Sequence, residues 1–454
     1  MGYANRRRPH PIQQWITRIF KSQIIGSVLL IIATVVALVW ANTPWHESYF
    51  HLWETPIGFS LGDMSFSLTL HQWINDGLMV LFFLSVGLEI KREILVGKLS
   101  SPRTALLPIL AALGGMIVPA VVYLVFNLGG AGAGGWGIPM ATDIAFAIGI
   151  LLLLGDRVPL SLKVFVTALA IIDDIGAVLV IALFYSGDII WSGLWGALAF
   201  LGLIFIFTRL NVRHTAVYML LTAGVWVGVM ASGVHATLAG ILAAIMVPAR
   251  SRIDPDQFLH LEYVHLRRLR FSKLTATSVL TDEVQIEALF DMEKNVRDME
   301  PVLVWLEHAL LPYVTFLVIP LFALSNAGIH LSGDVLSLLA SPVTLGVIFG
   351  LIFGKQLGVM LFTWGAVHFK LSGLPDDVTW AQVYGVSWLT SIGFTMSLFV
   401  TELAFTDAQL IANAKLGILL ASLFAGVVGY AVLRFILPDT TAKNTLPQSV
   451  IVGE

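Results

Sequence analysis

Charge and cysteine are what this sequence lacks. Only 12% of its 454 residues are Asp, Glu, Lys or Arg, against about 25% in an ordinary soluble domain. With a mean hydropathy of +0.85, that deficit excludes a soluble enzyme, a disordered chain and a collagenous one. The absence of Cys removes disulfides, thiol nucleophiles and thiolate metal sites. A net charge of −3 is too small to point to nucleic acid as a partner.

What is present is apolar sequence in long runs. A helix needs roughly 20 apolar residues to cross the hydrocarbon core. About twelve such segments can be read, near 23–41, 70–96, 105–127, 131–154, 160–185, 192–209, 215–230, 233–247, 302–326, 343–367, 382–405 and 411–437. The expected fold is therefore an all-α integral membrane protein. A first apolar run after Arg6-Arg7-Arg8 mimics a signal peptide, but removing it would leave an odd number of spans.

The basic residues test that count, because cytoplasmic loops hold the Lys and Arg. With the N-terminus inside, the inner segments receive Arg6, Arg7, Arg8, Arg18 and Lys21, then Lys91, Arg92, Lys98 and Arg103. Arg157, Lys163, Arg209, Arg213, the cluster from Arg250 to Arg297, Lys370, Arg434 and Lys443 follow on the same side. The outer loops 42–69, 128–137, 186–191 and 327–342 contain no Lys or Arg. Only Lys355 and Lys415 break the alternation.

The layout is then an N-terminal tail (1–22), spans one to eight (23–248), a cytoplasmic connector (249–301), spans nine to twelve (302–437) and a tail (438–454). Both termini are cytoplasmic. Within the first outer loop, residues 55–71 alternate apolar and polar around Gly62-Asp63, which is hairpin chemistry. The connector is polar, mixed in charge and partly helical in pattern, and carries no recognisable motif.

Four charges stand where lipid is expected: Asp143, Asp173, Asp174 and Lys355. Their summed insertion cost is roughly 10–14 kcal/mol, comparable with the stability of a whole domain. Such residues mark function by default. A salt bridge would account for one Asp with Lys355 and leave two carboxylates. Desolvation and mutual repulsion make neighbouring carboxylates exchange protons near neutral pH, and their oxygens also suit a small hard cation. One site can thus hold protons or a cation in competition, which is the chemistry of an exchanger.

Span 131–154 opens GAGGWGIPMATD, and span 382–405 contains Trp388-Leu389-Thr390-Ser391-Ile392-Gly393. Both read as interrupted helices, tolerated in membranes only against protein or a wet cavity. Each is the middle of a triplet, 105–185 and 343–437, and the triplets run in opposite senses. That is an inverted repeat of the kind that places a transport site at its junction, with the discontinuous helices crossing near mid-membrane. An acid beside the positive helix ends and Lys355 beside the negative ones would offset the exposed dipoles, and Asp143 directly follows a break.

GLEIKREI (87–94), GGMIVPA (114–120), ATDIAFAIGIL (141–151), ALAIIDDIGAVLVIALFY (168–185), SGVHATLAG (232–240), PLFALSNAG (320–328) and SIGFTMSLF (391–399) resemble the bacterial NhaA-type sodium/proton antiporters. Antiporters of this family are a type example of the inverted-repeat architecture, so agreement on it is not independent support. The resemblance implies electrogenic, pH-regulated exchange of cytoplasmic sodium or lithium for external protons by alternating access, across the bacterial inner membrane. It implies no cofactor, no enzyme activity and a homodimer. By that resemblance Asp174 ligates the cation, and Asp173 exchanges protons and pairs with Lys355. Thr142 and Asp143 match the pair at the broken helix. Glu89, Arg92, Glu93, Glu307 and His308 match a pH-responsive cytoplasmic mouth, and Asp76 and His235 match secondary positions.

The sequence departs from the family pattern at Gln356, where a proline is usual, at Leu311, where a histidine is usual, and in the longer connector 249–301. Three rival functions stand beside this one, and of these a cation channel lacks any repeated filter loop of backbone carbonyls. An intramembrane aspartyl protease needs a dyad sharing one proton, and no GxGD signature is present. A symporter of organic anions would need a second buried cation, and none besides Lys355 is expected.

Overall fold

The apolar runs fold as helices, and those helices decide where each charged side chain sits. A computed structural model describes residues 23–61, 64–210, 212, 214–272, 281–330 and 335–437. The basic residues Arg6, Arg7, Arg8, Arg18 and Lys21, the pair Gly62-Asp63 expected to form a turn, Arg213 and the tail with Lys443 lie outside the described residues.

The chain begins with α1 (Gln23–Ala41) and α2 (His46–Glu54), then strands β1 (Pro56–Leu61) and β2 (Met64–Thr69). A π-helical turn, Trp73–Leu78, leads into α3 (Met79–Leu95), followed by α4 (Pro102–Asn127). A 3-10 segment, Ala131–Met140, precedes α5 (Ile144–Leu153), and α6 (Leu160–Phe184) follows. Next come α7 (Trp191–Arg209), α8 (Thr215–Ala231), α9 (Leu238–Met246), α10 (Pro255–Phe271) and α11 (Glu283–Met299). The last part holds α12 (Val302–Tyr313), α13 (Ile319–Asn326), α14 (Pro342–Phe349), α15 (Lys355–His368), α16 (Trp380–Thr390), α17 (Phe394–Ala404) and α18 (Ala408–Ile436).

Among the described residues, seven helices are long and apolar enough to cross a membrane, or up to nine if each bent pair is one span. The expected spans 215–230 and 233–247 are shorter than that test requires, being helices of 17 and 9 residues. Gly233 separates them with a φ of +77°, a conformation that L side chains disfavour.

Two compact units can be distinguished. One comprises the chain up to Phe82, Glu93–Gly187 and everything from Pro312; the other comprises Phe83–Arg92 and Asp188–Leu311. In the first, α4 and α15 touch backbone to backbone. A Cβ added at Gly114 would lie 2.2 Å from the Gly358 carbonyl oxygen, so glycine is what permits this approach. Lys355 opens α15 directly after a π-helical turn, Gly350–Gly354. Such turns often mark functional positions.

The hairpin expected around Gly62-Asp63 is an antiparallel pair, in register from Pro56↔Thr69 to Leu61↔Met64. In the second unit the connector folds as α10 packed on α11, with Asn295 Nδ2 donating to Glu262 Oε1 at 3.1 Å. Its ends are tied together: Arg252 N donates to Asp298 O at 2.9 Å and Leu303 N to Pro248 O at 3.1 Å.

Candidate cation and proton site

Asp143, Asp173, Asp174, Thr142 and Lys355 are all buried, none more than 2% exposed. Asp173 and Asp174 are consecutive on α6, so they enter the interior together. Lys355 reaches across from α15 and places Nζ 2.7 Å from Asp173 Oδ2. The same ammonium donates to Thr142 Oγ1 at 2.7 Å. Thr142 Oγ1 also lies 2.6 Å from Asp173 Oδ2 and 3.0 Å from Thr390 O. Its single proton serves one of those two acceptors. The second carboxylate oxygen of Asp173 is buried and accepts no hydrogen bond. A buried oxygen of that kind is costly unless something polar reaches it.

Asp143 lies between the 3-10 segment Ala131–Met140 and α5, and its carboxylate also reaches the start of α17. Its Oδ1 caps α5 by accepting from Phe146 N at 3.0 Å. Its Oδ2 accepts from Thr395 N at 3.1 Å and from Thr395 Oγ1 at 2.5 Å, at the start of α17. Its own N–H donates to Ile392 O at 2.6 Å. One carboxylate thus faces the positive ends of two helices, where the macrodipole favours negative charge. The axes of α16 and α17 meet at 46° across that break. Lys355 reaches the break indirectly: its hydrogen bonds go to Thr142 and Asp173, and Thr142 in turn abuts Thr390 O at the end of α16.

Gln356, the departure from the family pattern, is buried beside Lys355. Its Oε1 accepts from Ser387 Oγ, and its Nε2 donates to Ser391 Oγ at 3.4 Å. It ties α15 to the end of α16. From sequence Thr390 and Ser391 were read only as part of a helix break, and Thr395 and Ser387 were given no role, because hydroxyls in an apolar run are common packing residues. Only their place at the break distinguishes them.

The expectation that Lys355 is the only buried cation is corrected. Lys415 is 9% exposed and pairs with Glu402 at 2.7 Å. His71 Nε2 stands 4.0 Å from the same carboxylate. The signal was present, since Lys415 breaks the charge alternation; its partner Glu402 was not recognised.

Two of the residues assigned to the cytoplasmic mouth pair directly. Arg92 Nε donates to Glu307 Oε2 at 3.0 Å. His308 is exposed, as is Leu311 at the position where a histidine was expected. Glu89 is half-buried. Glu93 accepts from Lys98 N at 2.9 Å. Asp76 sits half-buried in the π-helical turn before α3, and His235 half-buried in the turn before α9.

Long apolar helices with acids and a lysine folded away from lipid define an integral membrane protein built around a buried ionic centre. The chain belongs to the Na+/H+ antiporter 1 family, whose match covers residues 17–433. It is 47% identical over 416 residues to the Na(+)/H(+) antiporter NhaA of Koribacter versatilis, covering 92% of this chain and 90% of that one. The NhaA antiporter of Acidithiobacillus ferrooxidans is 47% identical over 423 residues, 92% and 96% of the two chains. That of Syntrophobacter fumaroxidans is 46% identical over 447 residues, 96% and 94% of the two chains.

Proposed function

We propose that this protein is an electrogenic antiporter that exports cytoplasmic sodium or lithium in exchange for external protons by alternating access. Sodium/proton antiport is the activity named for its relatives. The observation that carries the reading for this chain is the buried Lys355–Asp173 pair at 2.7 Å beside Asp174. A cation arriving at Asp174 and at the unbonded oxygen of Asp173 competes with Lys355 and with protons for the same negative charge. Only one occupant is favourable at a time. Thr142 and Asp143 hold the interrupted spans against one another, so the charge change is felt where the helices are broken. Proton flux in everted vesicles on adding sodium, lithium or potassium at several pH values tests this directly. No flux with any of the three would refute it.

The wider arrangement belongs to the same proposal. We read twelve spans with both termini cytoplasmic in the bacterial inner membrane, the layout given by the Lys and Arg distribution. The triplets Pro102–Phe184 and Pro342–Ile436 form the inverted repeat, and their interrupted middle spans cross at Asp143. The rival symporter gains a second buried cation in Lys415, but that ammonium is already held by Glu402. Nothing favours the protease.

A homodimer through the outer hairpin follows from strand chemistry, since a two-stranded sheet leaves both outer edges able to pair. Deleting residues 57–68 should yield monomers in crosslinking while transport survives under mild conditions; unchanged dimers would remove the hairpin from the interface.

The pH response is assigned partly to the mouth. There Arg92 pairs with Glu307, and His308 lies one residue from Glu307. With Leu311 in place of a second histidine, the pH response should be shallower than two histidines would give. Apparent sodium affinity against pH, measured for wild type and Glu307→Gln, decides whether the mouth takes part. Coincident curves would leave pH sensitivity to the aspartates alone.

A further inference from the structure

Helix α10 of the connector carries an exposed stripe. Leu259, Tyr263 and Leu266 are 64%, 65% and 55% exposed and recur at i, i+4 and i+7, one face of a helix. A different face, about a third of a turn away and with His265 and Leu269 buried, packs on α11. Arg270 continues the stripe and Arg267 flanks it, with Arg268 in the same C-terminal turn. The Arg267 guanidinium lies 5.5 Å from the Phe271 ring, itself 72% exposed. Arg252–Asp298, His265–Asp291 and Arg297–Glu293 pair within the connector, and none of these engages Arg267, Arg268 or Arg270.

Charge is divided between the two helices. Along α10 stand Asp256 and Glu262 against three arginines; along α11 stand Glu283, Glu287, Asp291, Glu293 and Asp298 against Lys294 and Arg297. The basic helix also carries the apolar stripe, and the acidic helix covers a different face of it. That combination suits a surface both apolar and anionic. Only residues 247–254 separate the end of α9 from α10. At about 3.4 Å per residue they hold the helix within roughly 30 Å of that span's end.

We propose that α10 is an interfacial helix: Leu259, Tyr263 and Leu266 enter the headgroup region of the bilayer that holds the protein, and Arg267 and Arg270, on or beside that stripe, bind its anionic phosphates. Amphipathic helices with arginine beside apolar residues bind membranes in this way. The inference rests on the chain being membrane-embedded and not on which ion it carries. It gives the connector a role: fixing the ends of α9 and α12 against the lipid surface.

The sequence contains no Cys, so a single introduced one can be spin-labelled in the full-length protein. Labels at Leu266→Cys, with Tyr263→Cys as a second site and Glu287→Cys on α11 as control, are compared in nanodiscs of phosphatidylcholine with or without phosphatidylglycerol. The readout is collision with oxygen, which enters lipid, against a water-soluble nickel chelate. Oxygen should be favoured at 266 and 263 only with phosphatidylglycerol, and not at 287. Each basic residue contributes about a fivefold preference for an anionic surface. Replacing Arg267 and Arg270 by Gln should therefore lower the docked-to-free ratio on the order of 25-fold. Equal water exposure in both lipids would overturn the proposal. So would shielding of the same size in pure phosphatidylcholine, or shielding that grows with two copies per disc. Sodium-driven proton movement by wild type in liposomes of the same lipids tests the transport reading separately.

Discussion

Asp174→Asn should abolish sodium-driven proton movement in everted vesicles while the protein remains in the membrane at near wild-type amounts. The amide has almost the shape of the carboxylate and keeps one oxygen able to face a cation. It loses the charge that compensates the cation for its water shell, and it cannot take up the proton that competes for the site. Both halves of an exchange cycle fail together. Asp174 is 2% exposed, so no bulk water is at hand to substitute for the missing charge. The measurement is vesicle proton flux against sodium concentration, with protein quantified in the same membranes. Rates equal to wild type would remove Asp174 from the site.

The second large effect is on stability. Asp173→Asn leaves the Lys355 ammonium, which is 0% exposed, with Thr142 Oγ1 as its remaining partner. Lys355→Met leaves the Asp173 carboxylate with Thr142 alone. Breaking a buried pair by removing one member costs about 3–5 kcal/mol, because the other charge is stranded. Removing both strands neither, so the double variant should be destabilised by less than the sum of the singles. Thermal unfolding in detergent of both singles and the double supplies the cycle. Strict additivity would mean that the 2.7 Å contact carries no coupling. Because Thr142 contacts both members, Thr142→Val should reduce the coupling without removing it.

The sequence alone identified the acids and the lysine, because their signal is local. A charge in a run of about 20 apolar residues is expensive wherever the rest of the chain lies. The same locality made the long helices legible, as well as the paired strands Pro56–Leu61 and Met64–Thr69 and the helical character of the connector. Lys415 was visible for the same reason, as a basic residue on the wrong side of the charge alternation. What could not be read was its partner Glu402, which sits near a span end and is unremarkable by composition.

Pairing is not a local property, and there the tertiary structure decided. Lys355 and Asp173 are 182 residues apart, and they meet because glycines at 114 and 358 let two helices touch. Asp143 was expected at one helix break, yet its carboxylate also caps a second helix 252 residues away. The departure at Gln356 looked like a lost proline and is a hydrogen-bonded tether to Ser387 and Ser391. Membrane insertion is governed by the composition of each segment, whereas partner choice depends on which faces come together once all segments are packed. Composition therefore determined that charges are buried here, and only the packing determined which atoms neutralise them.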